Sequence, residues 1–122
     1  MKKFQDLLSF TAEDIRAAID RNDPDEIPFV PLTVALASPD LLLATETCIA
    51  LAGSSDPRVR GNVLISLGHL ARRFQSLDEV RVKPLIEQGL RDRDASVRAL
   101  AKSAADEIHQ FLFWRIRGHI YG

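Results

Sequence analysis

Two stretches of sequence decide the fold of this chain: Asp56-Pro57-Arg58-Val59-Arg60 and Asp94-Ala95-Ser96-Val97-Arg98. They lie 38 residues apart and place an Asp, a Val and an Arg at the same spacing. The match continues downstream along an apolar stripe, in which Val63 aligns with Ala101, Leu67 with Ala105 and Leu70 with Ile108. A period of about 20–50 residues that contains two helices predicts stacked units, because each pair of helices needs its neighbours to bury an apolar face.

The first part of the chain predicts two helices. Thr11 and Asp14 have the spacing of a capping box, which begins a helix that runs to about Arg21. Prolines and acidic residues follow in a polar loop, and a short helix then spans about Val30 to Ala37. No long segment alternates apolar and polar residues with the period of a strand.

Four further helices are predicted from polar N-cap residues. We expect these caps at Ser38, at Asp56, at Ser76 within Ser76-Leu77-Asp78-Glu79, and at Asp94. Pro84 lies inside the fifth segment and predicts a kink or a split there, because proline removes a helical hydrogen bond. The chain is therefore predicted to be all-α, with about six helices.

The unit that contains Asp94 resembles a HEAT repeat. The resemblance extends over Pro84-Leu85-Ile86-x-x-Gly89-Leu90-x-Asp92-x-Asp94-x-x-Val97-Arg98-x-x-Ala101-x-x-Ala104-Ala105-x-x-Ile108. The unit that begins at Asp56 resembles it nearly as well. This resemblance implies a short right-handed α-solenoid of antiparallel helix pairs, with about three HEAT-like repeats and a concave face. We expect a single domain over 1–122, with a degenerate capping repeat at 1–38, a repeat at 39–76 and a repeat with a C-terminal aromatic cap at 77–117.

Composition and charge narrow the class of protein. The 122 residues are 46% hydrophobic and 27% charged, which excludes a disordered chain. The net charge is −1, but the charges are unevenly distributed along the chain. Residues 1–57 hold 4 basic and 10 acidic side chains, whereas residues 58–122 hold 12 basic and 7 acidic side chains. We therefore expect an acidic end and a basic end. No segment has the pattern of a membrane span or a signal peptide, and we expect a cytoplasmic protein.

The Asp and Arg residues that recur in the two units are expected to have structural roles. Asp56 and Asp94 are expected to cap helices, and the resemblance implies that such aspartates form ladders with Arg60 and Arg98 between neighbouring repeats. Trp114 lies in the apolar run 111–116, which is expected to fold over the open end of the stack. The alternative for this run is an exposed anchor for a partner or for a second copy of the chain.

The sequence favours a non-catalytic protein. It lacks a nucleophile motif, a phosphate loop and a dinucleotide fingerprint. His69 and His109 are not at metal-ligand spacing with any cysteine or carboxylate, and Cys48 is expected to be buried and inert. We expect neither a cofactor nor a metal.

In size, fold and charge, the chain resembles the immunity proteins of contact-dependent growth inhibition and other polymorphic toxin systems. The resemblance implies binding to a toxin domain one to one, such as a basic nuclease, and blockage of its active site or substrate groove. The residues expected to meet that partner are Asp20, Asp23, Asp25, Glu26, Asp40 and Glu46 on the acidic side, with Asn62 and His69 in the groove.

Two other functions stay open. One is a HEAT-like scaffold or accessory subunit, similar to bilin-lyase-type proteins. The other is nucleic-acid binding through basic residues of the C-terminal half: Arg58, Arg72, Arg73, Arg91, Arg93 and Lys102. Interleaved acidic residues and a pI of about 6.3 make nucleic acid the weaker prediction.

Overall fold

The computed structural model describes residues 11–120, and this range is helical with no strand. Its six α-helices are α1 (Ala12–Arg21), α2 (Val30–Ala37), α3 (Leu41–Leu51), α4 (Pro57–Phe74), α5 (Glu79–Gly89) and α6 (Ala95–Leu112), and a 3₁₀ turn (Ile27–Phe29) leads into α2. The all-α prediction is confirmed for these residues. Residues 1–10 of the predicted capping repeat lie outside the described range.

Helix α1 begins with the predicted capping box. The Thr11 hydroxyl accepts a hydrogen bond from the Asp14 amide at 3.1 Å, and the Asp14 carboxylate accepts one from the Thr11 amide at 3.2 Å. Asn22 ends the helix with a left-handed backbone (φ 48°). Each bond satisfies an amide that has no partner within the first turn of the helix.

Two of the predicted N-caps are wrong by two residues. Ser38 ends α2 and accepts a hydrogen bond from the Asp40 amide, whereas Asp40 itself caps α3. Asp78, not Ser76, caps α5. In both cases a carboxylate takes the cap position, where its charge interacts favourably with the positive end of the helix.

Pro84 does not split α5, which runs continuously from Glu79 to Gly89. The carbonyl that loses a donor to proline belongs to Val80, four residues earlier. Both Val80 and Pro84 are exposed, and this carbonyl therefore lies on the side of the helix where water is available. The absence of that hydrogen bond costs little at this position.

Helix α4 is the centre of the packing. It packs along α6 on one flank and against α2 and the 3₁₀ turn on the other, while α3 lies against α2 and α4, and α5 against α4 and α6. The largest fully buried side chains include Leu67 and Leu70 of α4, Ile86 of α5 and Ile108 of α6. One continuous core therefore runs through the described part of the chain.

The backbones of α4 and α6 approach closely at Gly68. A Cβ atom built on this glycine would lie 3.2 Å from the Cα of Ala104 and 3.6 Å from its Cβ. Ala101 and Ala105 of α6 are also fully buried. Small residues on both helices thus allow a close crossing that longer side chains would prevent.

The C-terminal aromatic segment is not a continuation of α6. The helix ends at Leu112, and Phe113 adopts a left-handed backbone (φ 60°). Because the chain turns here, Trp114 and Ile116 are buried at 8% and 4% exposure, while Phe113 is 76% exposed.

Residues 113–120, called the tail below, run back over α5 and α6. The Arg117 amide donates a hydrogen bond to the Glu87 carboxylate at 2.8 Å. On the other side, His119 Nε2 lies 2.7 Å from Asp106 Oδ1. The tail therefore bridges α5 and α6, and Trp114 and Ile116 within it are buried.

Candidate functional site

Two open clefts lie along one edge of the molecule, beside the loops 52–56 and 90–94. The first cleft has a volume of about 630 Å³ and is lined by Ile19, Asn22, Pro24, Ile27, Ala50, Leu51, Gly53, Ser54, Ser55 and Asp56. The second cleft, of about 800 Å³, is lined by Ile49, Ala52, Gly53, Ser54, Ser55, Arg60, Val63, Leu64, Leu85, Gln88, Gly89, Arg91, Asp92 and Arg93.

The clefts are related by the 38-residue period. Gly53, Ser54 and Ser55 of the first cleft correspond to Arg91, Asp92 and Arg93 of the second. Gly53, Ser54 and Ser55 line both clefts, whereas Asn22 and Asp56 line only the first, and three arginines and Asp92 line only the second. The same local structure therefore presents two different chemistries along one edge.

Arg60 and Asp92 line the second cleft and form an ion pair with each other. Arg60 Nε and Nη2 donate to Asp92 Oδ2 and Oδ1 at 2.9 and 3.0 Å, and Nη1 donates to the carbonyls of Ser54 and Ser55. Both charged side chains are only 13% exposed. The hydrogen bonds of Arg60 lower the pKa of Asp92, and those of Asp92 raise the pKa of Arg60. The ion pair thereby ties the two loops together.

The ladder partner of Arg60 is Asp92 rather than Asp94, which caps α6 by accepting from the Ser96 amide at 2.8 Å. Arg98 donates to the Asp92 carbonyl at 2.6 Å. A sequence signal existed, because the charged triplet 91–93 stands where the preceding unit has only glycine and serine.

Substitution Asp92→Asn is expected to lower the free energy of unfolding by about 2 kcal/mol at pH 7, because Arg60 then keeps a half-buried charge without its carboxylate. Urea denaturation followed by circular dichroism measures this loss. Asp20→Asn, an exposed aspartate on α1, serves as the control and should change the free energy by less than about 0.5 kcal/mol.

This loss should depend on pH with a definite sign. The folded-state pKa of Asp92 is lowered, and its stabilising contribution is therefore present above the unfolded pKa of about 3.9 and disappears as the pH falls through the folded pKa. The difference between the wild type and Asp92→Asn should shrink when the pH is lowered from 5 towards 3. A difference that stays constant over that range would contradict the assignment.

Part of the predicted acidic surface lies at one corner beside the first cleft. Pro24 lines that cleft, and its carbonyl accepts a hydrogen bond from Arg58 Nη2 at 3.2 Å. Its neighbours Asp23 and Asp25 are exposed, as is Asp20 at the end of α1. These three aspartates form what is called the acidic corner below.

The other predicted acidic residues are engaged or distant. Glu26 forms an ion pair with Arg21 at 2.9 Å, and Glu46 is paired with Arg81 of α5. Asp40 caps α3 at the end opposite loop 52–56, and the 11 residues of that helix separate the two ends by about 16 Å. The structure does not bring all six acidic residues onto one surface.

The two groove residues also have internal contacts. Asn62 Nδ2 donates to the Pro28 carbonyl at 2.7 Å and braces α4 against the turn before α2. His69 is half-buried, with Nδ1 3.0 Å from Arg72 Nη2. Burial, followed by the charge of Arg72, lowers the pKa of His69 and favours its neutral form. Asn62 is thus a structural residue, and His69 is only partly available for contact.

Most of the basic residues considered for nucleic-acid binding form ion pairs or hydrogen bonds with other residues in the range 11–120. Arg58 pairs with Asp56, Arg72 with Glu107 and Lys102 with Asp106, and Arg73 donates to the carbonyls of Ala35 and Ser38. Arg91 and Arg93 alone of this set form no hydrogen bond or ion pair through their guanidinium groups in the described range. Both line the second cleft.

Reactive and metal-binding chemistry finds no support in the described residues. The side chain of Cys48 is fully buried, and burial raises the pKa of its thiol to about 12. Between residues 11 and 120, no three His, Cys, Asp or Glu side chains are grouped so that they could hold a metal ion. The same part of the chain contains no helix with both the length and the apolar character of a bilayer span.

Comparison of the chain with protein-family models, with curated proteins and with solved structures finds no match.

Proposed function

We propose that this chain is a non-catalytic protein-binding module, built as a short HEAT-like α-solenoid of about three helix pairs. The observation that carries the proposal is the pair of clefts along one edge, which recur with the 38-residue period of the sequence. Stacked helical units offer partners an extended, preformed surface. A partner that lies along this edge would meet both clefts at once.

The packing of the helices supports the solenoid interpretation. Helices α4 and α6, which are equivalent by the sequence period, pack along each other, and α3 and α5 each pack against the helix that follows. The Arg60–Asp92 pair joins the loops of consecutive units. In repeat proteins, contacts of this kind between neighbouring units add to the intrinsic stability of each unit.

The partner in this proposal is a bacterial toxin domain, bound one to one and thereby neutralised. The acidic corner of Asp20, Asp23 and Asp25 beside the first cleft supports it, because a basic nuclease would be attracted to such a patch. This proposal uses fewer acidic residues than the sequence predicted, because Glu26, Asp40 and Glu46 have partners within the chain.

The test is recovery of a partner followed by inhibition. The full chain, tagged and expressed in its native cell, is captured after nuclease treatment at moderate salt, and stoichiometric partners are identified by mass spectrometry. A recovered domain that is toxic alone and inactive with one equivalent of this chain supports the proposal. Many substoichiometric partners without inhibition would favour a scaffold, and only nuclease-sensitive material would favour nucleic-acid binding; either result overturns the toxin assignment.

Reversal of charge at the acidic corner should slow association with that partner. We expect Asp25→Lys to lower the association rate constant by about tenfold at low salt, because long-range attraction raises on-rates. Glu13→Lys makes the same charge change on an exposed residue near the other end of α1 and should have a much smaller effect. Equal effects of the two substitutions in stopped-flow measurements would exclude the acidic corner as the contact.

A further inference from the structure

We propose that the second cleft binds an acidic segment of a partner protein, with carboxylates on Arg91 and Arg93 and an apolar side chain on the cleft floor. This inference rests on the proposed role in protein binding, but it assigns a site and a ligand chemistry that the acidic corner does not. The site is the cleft of about 800 Å³ between loops 52–56 and 90–94.

The arginines of loop 90–94 are not needed to make its turn. The equivalent loop of the preceding unit has Gly53-Ser54-Ser55 where this one has Arg91-Asp92-Arg93. In both loops, the middle side chain accepts a hydrogen bond from the amide two residues later, at 3.1 Å for Ser54 and 2.9 Å for Asp92. A structural role therefore accounts for the middle residue and leaves both arginines unexplained.

The charge of the cleft is available to a ligand. Arg91 and Arg93 are exposed, and their guanidinium groups form no hydrogen bond or ion pair within residues 11–120. Both oxygens of Asp92 already accept from Arg60, which holds the single carboxylate of the cleft lining in place. Two guanidinium groups on a rigid loop match the geometry of carboxylates, which they can bind through paired hydrogen bonds.

The floor of the cleft favours a protein ligand over a nucleic acid. It is formed by the buried Val63 and Leu64, and by the half-buried Ile49 and Leu85. An apolar side chain placed there would remove the exposed parts of Ile49 and Leu85 from water. Bases of single strands stack on aromatic rings, and none of the residues that line this cleft is aromatic.

The experiment measures binding of synthetic probes to the full chain by calorimetry and by NMR shifts. The main probe is a short peptide of alternating glutamate and leucine, and the comparison probes replace glutamate by lysine, replace leucine by serine, or are a short oligothymidylate. We expect the glutamate–leucine peptide to bind most tightly, to weaken as salt is added, and to shift the signals of Leu64 and Gly89. The double substitution Arg91→Gln/Arg93→Gln should weaken it by about tenfold or more.

A matched control exists in the tail. Arg115→Gln/Arg117→Gln removes the same two charges at the same spacing from exposed residues outside the cleft, and it should leave peptide affinity within about twofold at constant ionic strength. The proposal is overturned if no peptide binds, if both double variants weaken binding equally, or if the oligothymidylate binds more tightly than the peptide. Peptide binding to the cleft without a captured toxin would leave this site in place and remove the toxin assignment.

Discussion

Substitution Gly68→Leu is expected to lower the free energy of unfolding by about 3 kcal/mol or more. A Cβ atom at this position would already lie 3.2 Å from the Cα of Ala104 and 3.5 Å from the Cβ of Glu107. The first of these neighbours is backbone and cannot rotate away. A leucine must therefore push α4 and α6 apart, and overpacking of that kind typically costs about 1–3 kcal/mol and occasionally more. Urea denaturation monitored by circular dichroism gives the value.

The matched control is Gly53→Leu in the loop between α3 and α4. Nothing lies within 4 Å of a Cβ built at Gly53, and this glycine is exposed. The control should change the free energy of unfolding by less than about 0.5 kcal/mol. If Gly68→Leu were as stable as Gly53→Leu, α4 and α6 would not cross as closely as described.

The second large effect is expected for Leu67→Ala. Leu67 is fully buried in the core, and its truncation removes apolar contacts and leaves a cavity. We expect a loss of about 3 kcal/mol, in the usual range of about 2–5 kcal/mol for buried leucines. Chemical denaturation at several protein concentrations measures the loss and separates it from any association.

Leu42→Ala provides the comparison for that prediction. Leu42 also lies on a helix, and the same atoms are removed, but its side chain is 66% exposed. The expected change is below about 0.5 kcal/mol. A large loss at Leu42, with a small one at Leu67, would mean that α4 does not present its 59–63–67–70 stripe to the core.

The spacing of apolar and capping residues in the repeat correctly predicted the buried face of α4 and two helix N-caps. Val59, Val63, Leu67 and Leu70 are fully buried as their helical spacing indicated, and the caps at Asp56 and Asp94 are formed. These features were accessible because apolar spacing and capping act within a few residues of the chain. The two misplaced N-caps lie in segments where a serine and an aspartate compete, and the local pattern does not show which of them the first turn of the helix will follow.

The features that sequence could not predict depend on distant parts of the chain meeting. Arg60 and Asp92 are 32 residues apart, and only the folded loops show that they pair. Asn62 resembles a free polar residue until its contact with the Pro28 carbonyl is seen. The predicted acidic residues are close together in the sequence, but Asp40 and loop 52–56 lie at opposite ends of α3. Counting charges along the sequence does not reveal this separation.

The tail has a consequence for how copies of this protein can meet. Asp106 follows Gly68 by 38 residues, and Gly68 is where α4 receives α6. His119 of the tail contacts Asp106 on the face of α6 that corresponds to the one α4 offers to its neighbour, and the other residues of this face, Ala99, Lys102 and Ser103, are exposed. Such a face, left open, invites another copy to add head to tail, and contacts of this type propagate into fibres instead of closing into rings. A copy that packed on α6 as α6 packs on α4 would have to displace His119 and bury the Lys102–Asp106 ion pair, and both costs oppose growth by that route.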